Sequence, residues 1–146
     1  MGAKAALALE ERAVDLAKVL LVDDDAASRL TLHKLLTMSG YSVDSATSSS
    51  EAIGLLEKSE YSLVLGDLHS ETKEAQQQLL AFARSMLYRP ATAVVTSSVE
   101  FSPTALNSTD VMIEPEDVPE FLEKVAELIG ERASRMLARE LRQSRN

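Results

Sequence analysis

Short apolar runs and amphipathic stretches alternate five times between residues 18 and 130, and this alternation constrains the fold more than any other feature of the chain. The run at residues 19–22 is continuously apolar, as expected for a strand that is covered on both faces. Residues 26–38 place leucines close to helical spacing, and Gly40 then ends the stretch. Such alternation predicts a doubly wound α/β fold, in which helices cover both faces of a parallel sheet.

The same alternation gives boundaries for each element. We expect strands at residues 19–22, 41–45, 61–65, 91–96 and 111–113, and helices at residues 26–38, 50–59, 73–87 and from Glu116 onward. The apolar helix positions expected to face the sheet are Leu30, Leu32, Leu35, Leu36, Leu79, Leu80, Val118, Phe121, Val125 and Leu128. From the fivefold alternation of apolar strands and amphipathic helices, we predict a doubly wound five-stranded parallel sheet in the order 2-1-3-4-5.

Three segments of different composition divide the chain. Residues 1–17 are rich in alanine and predict a helical extension, residues 18–130 form the α/β domain, and residues 131–146 form a basic helical extension. The arginines of the basic segment recur at three- and four-residue spacing over all faces, which is typical of a solvated helix. Its apolar positions continue through Leu137 and Leu141, where the domain can no longer bury them. We therefore predict that this segment extends the last helix and mediates a homodimer or the docking of a partner protein.

The composition excludes several classes of function. The chain contains no cysteine and only two histidines, so disulfides and thiolate zinc sites are excluded and imidazole metal centres have little support. No apolar run approaches the roughly 20 residues of a membrane-spanning helix, and the N-terminus lacks the features of a secretory signal. We expect a cytoplasmic protein with no membrane contact. A net charge of −8 argues against binding to nucleic acid.

Polar residues follow three of the predicted strands at the point where each strand ends. Asp23 and Asp24 close the first strand, Asp67 closes the third, and Thr96 closes the fourth. Ligands of parallel sheets bind at the carboxyl ends of the strands, and neighbouring strands lie about 4.8 Å apart, so the carboxylates can converge on one cation. Mg²⁺ prefers oxygen ligands of this kind. The next acid, Asp25, stands where a helix N-cap is expected.

This constellation resembles the receiver domain of two-component response regulators, whose fold is flavodoxin-like. Residues 18–25, which read KVLLVDDD, are similar to the family's first strand and acid pair. Residues 63–68, LVLGDL, are similar to the strand that delivers the phosphoacceptor aspartate. Residues 94–97, VVTS, are similar to the strand that ends in a switch hydroxyl. The resemblance extends over residues 18–130.

The resemblance implies a role for each residue at the strand ends. Asp67 would be the nucleophile that accepts phosphate from a histidine kinase or phosphotransfer protein, and Thr96 would hydrogen-bond the phosphoryl group. Asp23, Asp24 and Asp67 would hold Mg²⁺, together with the backbone carbonyl of His69. The implied protein is a stand-alone receiver domain, a phosphoacceptor rather than an enzyme, which signals through contacts with other proteins.

Two positions depart from the family pattern. The lysine that precedes proline at the end of the fifth strand is here Glu114, which changes the charge by two units at a site that must bind a dianion. Glu114 either enters the pocket and opposes phosphate, or points to solvent and caps the following helix. The aromatic switch position three residues earlier is Val111. Both changes predict that phosphorylation causes only a weak conformational change.

Two other functions fit parts of the pattern. The same fold can serve as a pseudo-receiver, which binds proteins without needing phosphate. The spacing of Asp23 and Asp25 is also similar to that of haloacid-dehalogenase-like phosphatases, but no lysine lies between Thr96 and Glu114, where those enzymes need one. An alkali-labile acyl phosphate on Asp67 would distinguish the receiver from the pseudo-receiver.

Overall fold

The chain folds as alternating strands and helices around one parallel sheet. The computed structural model describes residues 17–68, 72–95, 111–113 and 118–144. Within these ranges the elements are β1 (Lys18–Asp23), α1 (Ala26–Met38), β2 (Ser42–Ala46), α2 (Ser49–Lys58), β3 (Leu63–Asp67), α3 (Lys73–Ser85), β4 (Ala91–Val95), β5 (Val111–Ile113) and α4 (Val118–Ser144). The strand order β2-β1-β3-β4-β5 confirms the predicted doubly wound fold. The helical extension predicted over residues 1–17 lies outside the described residues except for Ala17.

Polar caps explain where the first three helices begin. Asp25, Ser48 and Thr72 are the N-cap residues of α1, α2 and α3, and each has an extended backbone. The side chain of each cap accepts a hydrogen bond from the backbone N–H three residues later. These bonds satisfy donors that the first turn of a helix leaves without an internal partner. The expected role of Asp25 as a cap is confirmed.

The core lies on both faces of the sheet because successive residues of a buried strand point to opposite sides. On one face, β1, β3 and β4 pack against α1 and α4 through Leu32, Leu36, Phe121, Val125 and Leu128. On the other face, the alternate residues of the same strands pack against α2 and α3 through Ala52, Leu56, Leu79, Leu80 and Ala83. Each large side chain buried in this way stabilises the fold by about 1.5–3 kcal/mol.

Two of the positions predicted to face the sheet are exposed instead. Leu30 is 70% exposed and Val118 is 37% exposed. Leu32 and Leu36 share the buried side of α1, and Leu30 lies two residues before Leu32, so it points away from the sheet. Val118 is the first residue of α4, and contact with the sheet begins one turn later at Phe121. The prediction for Leu30 was wrong because the leucines of α1 lie on more sides of the helix than the sheet covers.

The last helix is continuous over 27 residues and passes through Gly130 without a break. Most of its residues after Gly130 are exposed, including Leu137 and Leu141, each 57% exposed. An added side chain at Gly130 would meet no atom within 4 Å, so the glycine is not required by packing. Across the described part of the chain, no helix, including this one, has both the length and the apolar character needed to span a membrane.

The described arginines that follow Gly130 lie on one side of α4, whereas the sequence analysis expected arginines over all faces of this segment. Arg132, Arg135, Arg139 and Arg142 line a single cleft together with Arg89, which lies in the loop before β4. Their spacing of three, four and three residues keeps them on one stripe of a helix. The expectation of a solvated helix is largely confirmed, since Arg135, Arg139 and Arg142 are exposed, and among these arginines only Arg132 is half-buried against the loop before β4.

A polar cluster ties β1 and β2 to the segment that precedes β3. The hydroxyl of Tyr61 donates to Oδ2 of Asp44 at 2.7 Å, and Nζ of Lys18 lies 3.2 Å from the same oxygen. Burial, followed by the neighbouring Asp44 carboxylate, raises the pKa of Tyr61. Burial opposes the charged form of Asp44, but the hydrogen bonds from Tyr61 and Lys18 outweigh it, and the pKa of Asp44 is lowered.

Candidate functional site

Two buried carboxylates lie side by side at the carboxyl edge of the sheet. Asp23 is the last residue of β1 and Asp67 the last residue of β3, and the two are partners in the parallel register of these strands. Asp23 is 0% exposed and Asp67 is 3% exposed. Asp24 follows directly and is half-buried. The structure therefore brings together Asp23 and Asp67, two of the three aspartates that the sequence places at strand ends, and Asp24 is the next residue after β1.

Only one of the two carboxylate oxygens of Asp23 has a hydrogen-bond partner among the described residues. Its Oδ1 accepts a hydrogen bond of 2.9 Å from the backbone N–H of Asp25, whereas its Oδ2 is buried and has no hydrogen-bond partner. Nη1 of Arg29 donates to the backbone carbonyl of Asp23 at 2.9 Å and holds the end of β1 against α1. Buried polar atoms in proteins nearly always have a partner. A carboxylate oxygen in this position is suited to a cation.

The environment of Asp67 is set by α1 and α3. Oγ of Ser28, in the first turn of α1, donates to Oδ2 of Asp67 at 3.3 Å. Beyond the strand, the backbone N–H of Leu68 donates to Oε1 of Gln76 at 3.1 Å, which ties the start of the following loop to α3. A Cβ atom at Gly66 would lie 3.3 Å from the same Oε1, so the glycine makes room for this contact. Helices on both sides of β3 thus position the carboxylate.

The oxygen donors at this edge of the sheet match part of the ligand set that magnesium prefers. Among the described residues, no group of three or more histidine, cysteine, aspartate and glutamate side chains is arranged as a metal site. The oxygen of Asp23 that has no partner and the carboxylates beside it nevertheless match the ligand preference of Mg²⁺, which usually keeps several waters and takes few protein ligands. The side chains fit the ion, with at least one further ligand from water or backbone.

Several residues that the sequence predicts for the site lie outside the described ranges. These are His69, Thr96 and Glu114, and their predicted roles stay predictions. Ser28 and Gln76 contact the site but were not predicted as site residues.

The sequence around these strand ends was also found in a known protein family. The family described as "Response regulator receiver domain" matches residues 19–73, which is less than half of the chain. The matched range contains β1 and β3 with their terminal aspartates, and it ends before Thr96 and Glu114. No curated protein sequence matches the chain.

Solved structures of receiver domains share the fold. A CheY-like receiver domain from Methanospirillum hungatei JF-1 is 23% identical, with a TM-score of 0.65, and the alignment covers 81% of this chain and 98% of that one. Response regulator TrrA from Thermotoga maritima, solved in complex with Mg²⁺ and BeF, is 23% identical over 77% of this chain and 98% of its own, with a TM-score of 0.60.

A third structure is the receiver domain of a sensor histidine kinase from Pseudomonas aeruginosa PAO1, which has a magnesium ion coordinated in its active-site cleft. It is 18% identical over 78% of this chain and 98% of its own, with a TM-score of 0.64. At this level of identity the likeness establishes the fold. Together, the family match and the shared fold show that residues 19–73 are similar to the response regulator receiver domain family and that the chain has the receiver fold.

Proposed function

We propose that the chain accepts a phosphoryl group on Asp67 from a histidine kinase or phosphotransfer protein, in a reaction that depends on Mg²⁺. The observation that carries the proposal is the register pairing of two buried carboxylates, Asp23 and Asp67, with Oδ2 of Asp23 lacking a partner. A purely structural pair of buried carboxylates would be costly, since like charges repel and lose hydration. The arrangement therefore favours a site that is completed by a cation and a phosphoryl group.

The transfer step follows from the position of Asp67. A carboxylate oxygen of Asp67 attacks the phosphorus of a phosphohistidine, the P–N bond breaks, and the imidazole leaves as an acyl phosphate forms. The hydroxyl of Ser28 and the packing of β3 hold the carboxylate in one orientation, which lowers the entropic cost of the attack. At 3% exposure, Asp67 is also shielded from bulk water, and this strengthens electrostatic interactions at the site.

The three aspartates would hold Mg²⁺, with the backbone carbonyl of His69 as a further ligand by the resemblance to receivers. When bound, Mg²⁺ neutralises charge on the carboxylates and on the phosphoryl oxygens during transfer. The magnesium in the Thermotoga and Pseudomonas receiver structures supports this assignment. By the same resemblance, Thr96 would hydrogen-bond the phosphoryl group, and Glu114 would weaken its stabilisation if its side chain faces the pocket.

The test is incubation with phosphoramidate and MgCl₂, followed by intact-mass measurement. We expect one added phosphoryl group that alkali removes and EDTA prevents from forming. Asp67→Asn should abolish the addition, and Asp25→Asn should retain it because asparagine is an equally good helix cap. If the wild-type chain takes up no phosphoryl group, the proposal fails and a phosphorylation-independent protein-binding module replaces it.

We further propose that the signal leaves through α4, by a homodimer or by docking of a partner protein. Leu137 and Leu141 lie one turn apart and are each 57% exposed, on a part of the helix that the sheet does not cover. Light scattering should show an assembly that Leu137→Asn/Leu141→Asn dissociates. Leu30→Asn is the matched control, because Leu30 is an exposed leucine on a different helix. A wild-type monomer at all concentrations would exclude the homodimer and leave only docking of another protein.

A further inference from the structure

A cleft of about 230 Å³ lies between the loop before β4 and the last turns of α4. Five arginines line it, with an apolar contribution from Met136: they are Arg89, Arg132, Arg135, Arg139 and Arg142. The loop precedes β4 and so lies at the amino ends of the strands, whereas Asp67 lies at the carboxyl ends. The cleft is therefore separate from the candidate phosphorylation site.

The spacing of residues along α4 explains how the arginines come together. Phe121, Val125 and Leu128 form the buried stripe of the helix, and the same alternation of four and three residues continues directly into Arg132 and Arg135. The stripe is thus apolar where the sheet covers it and cationic where the helix passes the loop before β4. One face of one helix serves first as core and then as the wall of a cleft.

The opposite wall is fixed by backbone contacts. Arg132 donates from Nη2 to the carbonyl of Tyr88 at 2.7 Å and from Nε to the carbonyl of Arg89 at 3.1 Å. Arg89 has a φ of 42°, a left-handed conformation that non-glycine residues rarely adopt. Residues held in this region often cluster at ligand sites. These contacts hold the loop and the helix at a set distance.

Three arginines of the cleft, Arg89, Arg135 and Arg139, form no ion pair with a carboxylate among the described residues. Burial, and the nearby charge of Arg135, lower the pKa of Arg132, while Glu60 acts in the opposite direction. A multivalent anion would relieve the repulsion among these guanidinium groups.

We propose that this cleft binds a compact polyphosphate group, meaning two or more linked phosphates. Guanidinium groups donate in forked pairs that match phosphate oxygens. Arg132 and Arg142 already donate to backbone carbonyls, so Arg89, Arg135 and Arg139 are the arginines of the cleft that a compact ligand with several negative charges would engage. A volume of about 230 Å³ is smaller than the clefts of roughly 300–1,000 Å³ that enclose drug-sized ligands, which favours a phosphate group over a whole nucleoside. An acidic peptide distributes its charges along a chain and fits such a cleft less well.

Calorimetric titration of the full chain with inorganic pyrophosphate, in EDTA and at low ionic strength, tests the proposal. We expect Arg135→Gln/Arg139→Gln to weaken binding by about tenfold or more, since each guanidinium contributes charge-assisted hydrogen bonds. The matched control is Lys34→Gln/Lys124→Gln, which removes the same charge from helix positions outside the cleft and should change affinity by less than about twofold. Arg135→Lys/Arg139→Lys keeps the charge and should lose only part of the affinity. Circular dichroism confirms that each variant is helical.

Two further titrations identify the source of the phosphates. Given binding of pyrophosphate, equally tight binding of ADP would indicate a free nucleotide. Binding to vesicles that contain a bisphosphorylated inositol lipid, without binding of ADP, would indicate a lipid headgroup. The proposal is overturned if the wild-type chain binds no pyrophosphate, or if the lysine control loses as much affinity as the arginine variant. Preference for a glutamate-rich peptide over pyrophosphate would also overturn it and would assign the cleft to an acidic protein.

Discussion

Replacing Asp23 by asparagine should stabilise the metal-free chain. Asp23 and Asp67 are register partners on neighbouring strands, 0% and 3% exposed, so their carboxylates lie about one strand spacing apart. At about 5 Å and an effective dielectric of about 20, two unit charges repel by about 3 kcal/mol. Asparagine removes this repulsion and keeps an oxygen that can accept from the N–H of Asp25. We expect the free energy of unfolding in EDTA to rise by up to about 3 kcal/mol.

The measurement is urea unfolding of both proteins, in EDTA and in MgCl₂. Wild type should gain about 1.4 kcal/mol when the Mg²⁺ concentration is ten times its dissociation constant, and Asp23→Asn should gain much less. Asp25→Asn is the control, because it changes an exposed helix cap two residues from Asp23 and should leave both quantities nearly unchanged. A less stable Asp23→Asn chain in EDTA, with its response to Mg²⁺ intact, would refute the reasoning.

Other predictions concern stability. The pKa of Tyr61 is raised in the folded chain, so the stability that its neutral form contributes is present below pH about 10 and is lost as the pH rises further. In urea unfolding, Tyr61→Phe should reduce the fall in the free energy of unfolding at alkaline pH. The pKa of Asp44 is lowered, so the stability that its carboxylate contributes is present above pH about 4 and is lost as the pH falls further. Asp44→Asn should reduce the fall in the free energy of unfolding at acid pH. Phe121→Ala should lower the free energy of unfolding by roughly 3–5 kcal/mol and Leu137→Ala by less than about 0.5 kcal/mol, since only the first is buried. Gly130→Ala should raise helix stability by about 1 kcal/mol, measured by thermal unfolding.

The fold could be predicted because local patterns and the sheet agree. The continuous apolar run of β1 and the helical spacing in α1 need no knowledge of the rest of the chain. The positions of Asp23 and Asp67 also follow, since parallel strands bring their carboxyl ends to one edge. The prediction for Leu30 was wrong because apolar spacing shows which residues are able to face a core, but not how wide a face the sheet will cover.

Contacts between distant segments could not be predicted. Ser28 reaches Asp67 across 39 positions in the sequence, and nothing local to either residue indicates the pairing. Gln76 bonds the backbone of Leu68 only because α3 packs beside β3 with its first turns near the strand end. The contacts of these side chains depend on how two elements pack against each other, and the spacing of residues along one element does not specify that packing.

The basic half of α4 shows how one helix can have two different causes of stability. Residues 118–129 are helical because Phe121, Val125 and Leu128 bury one stripe on the sheet. Beyond Gly130 the burial ends, and the sequence changes to residues with high helix propensity, mainly alanine, arginine, glutamate and leucine. Propagating an existing helix costs far less than starting one, so the packed half nucleates the exposed half. Arg132 then attaches the first exposed turn to the loop before β4. The cleft and the exposed leucines therefore depend on the packing of residues 118–129 against the sheet, which precedes both of them along the helix.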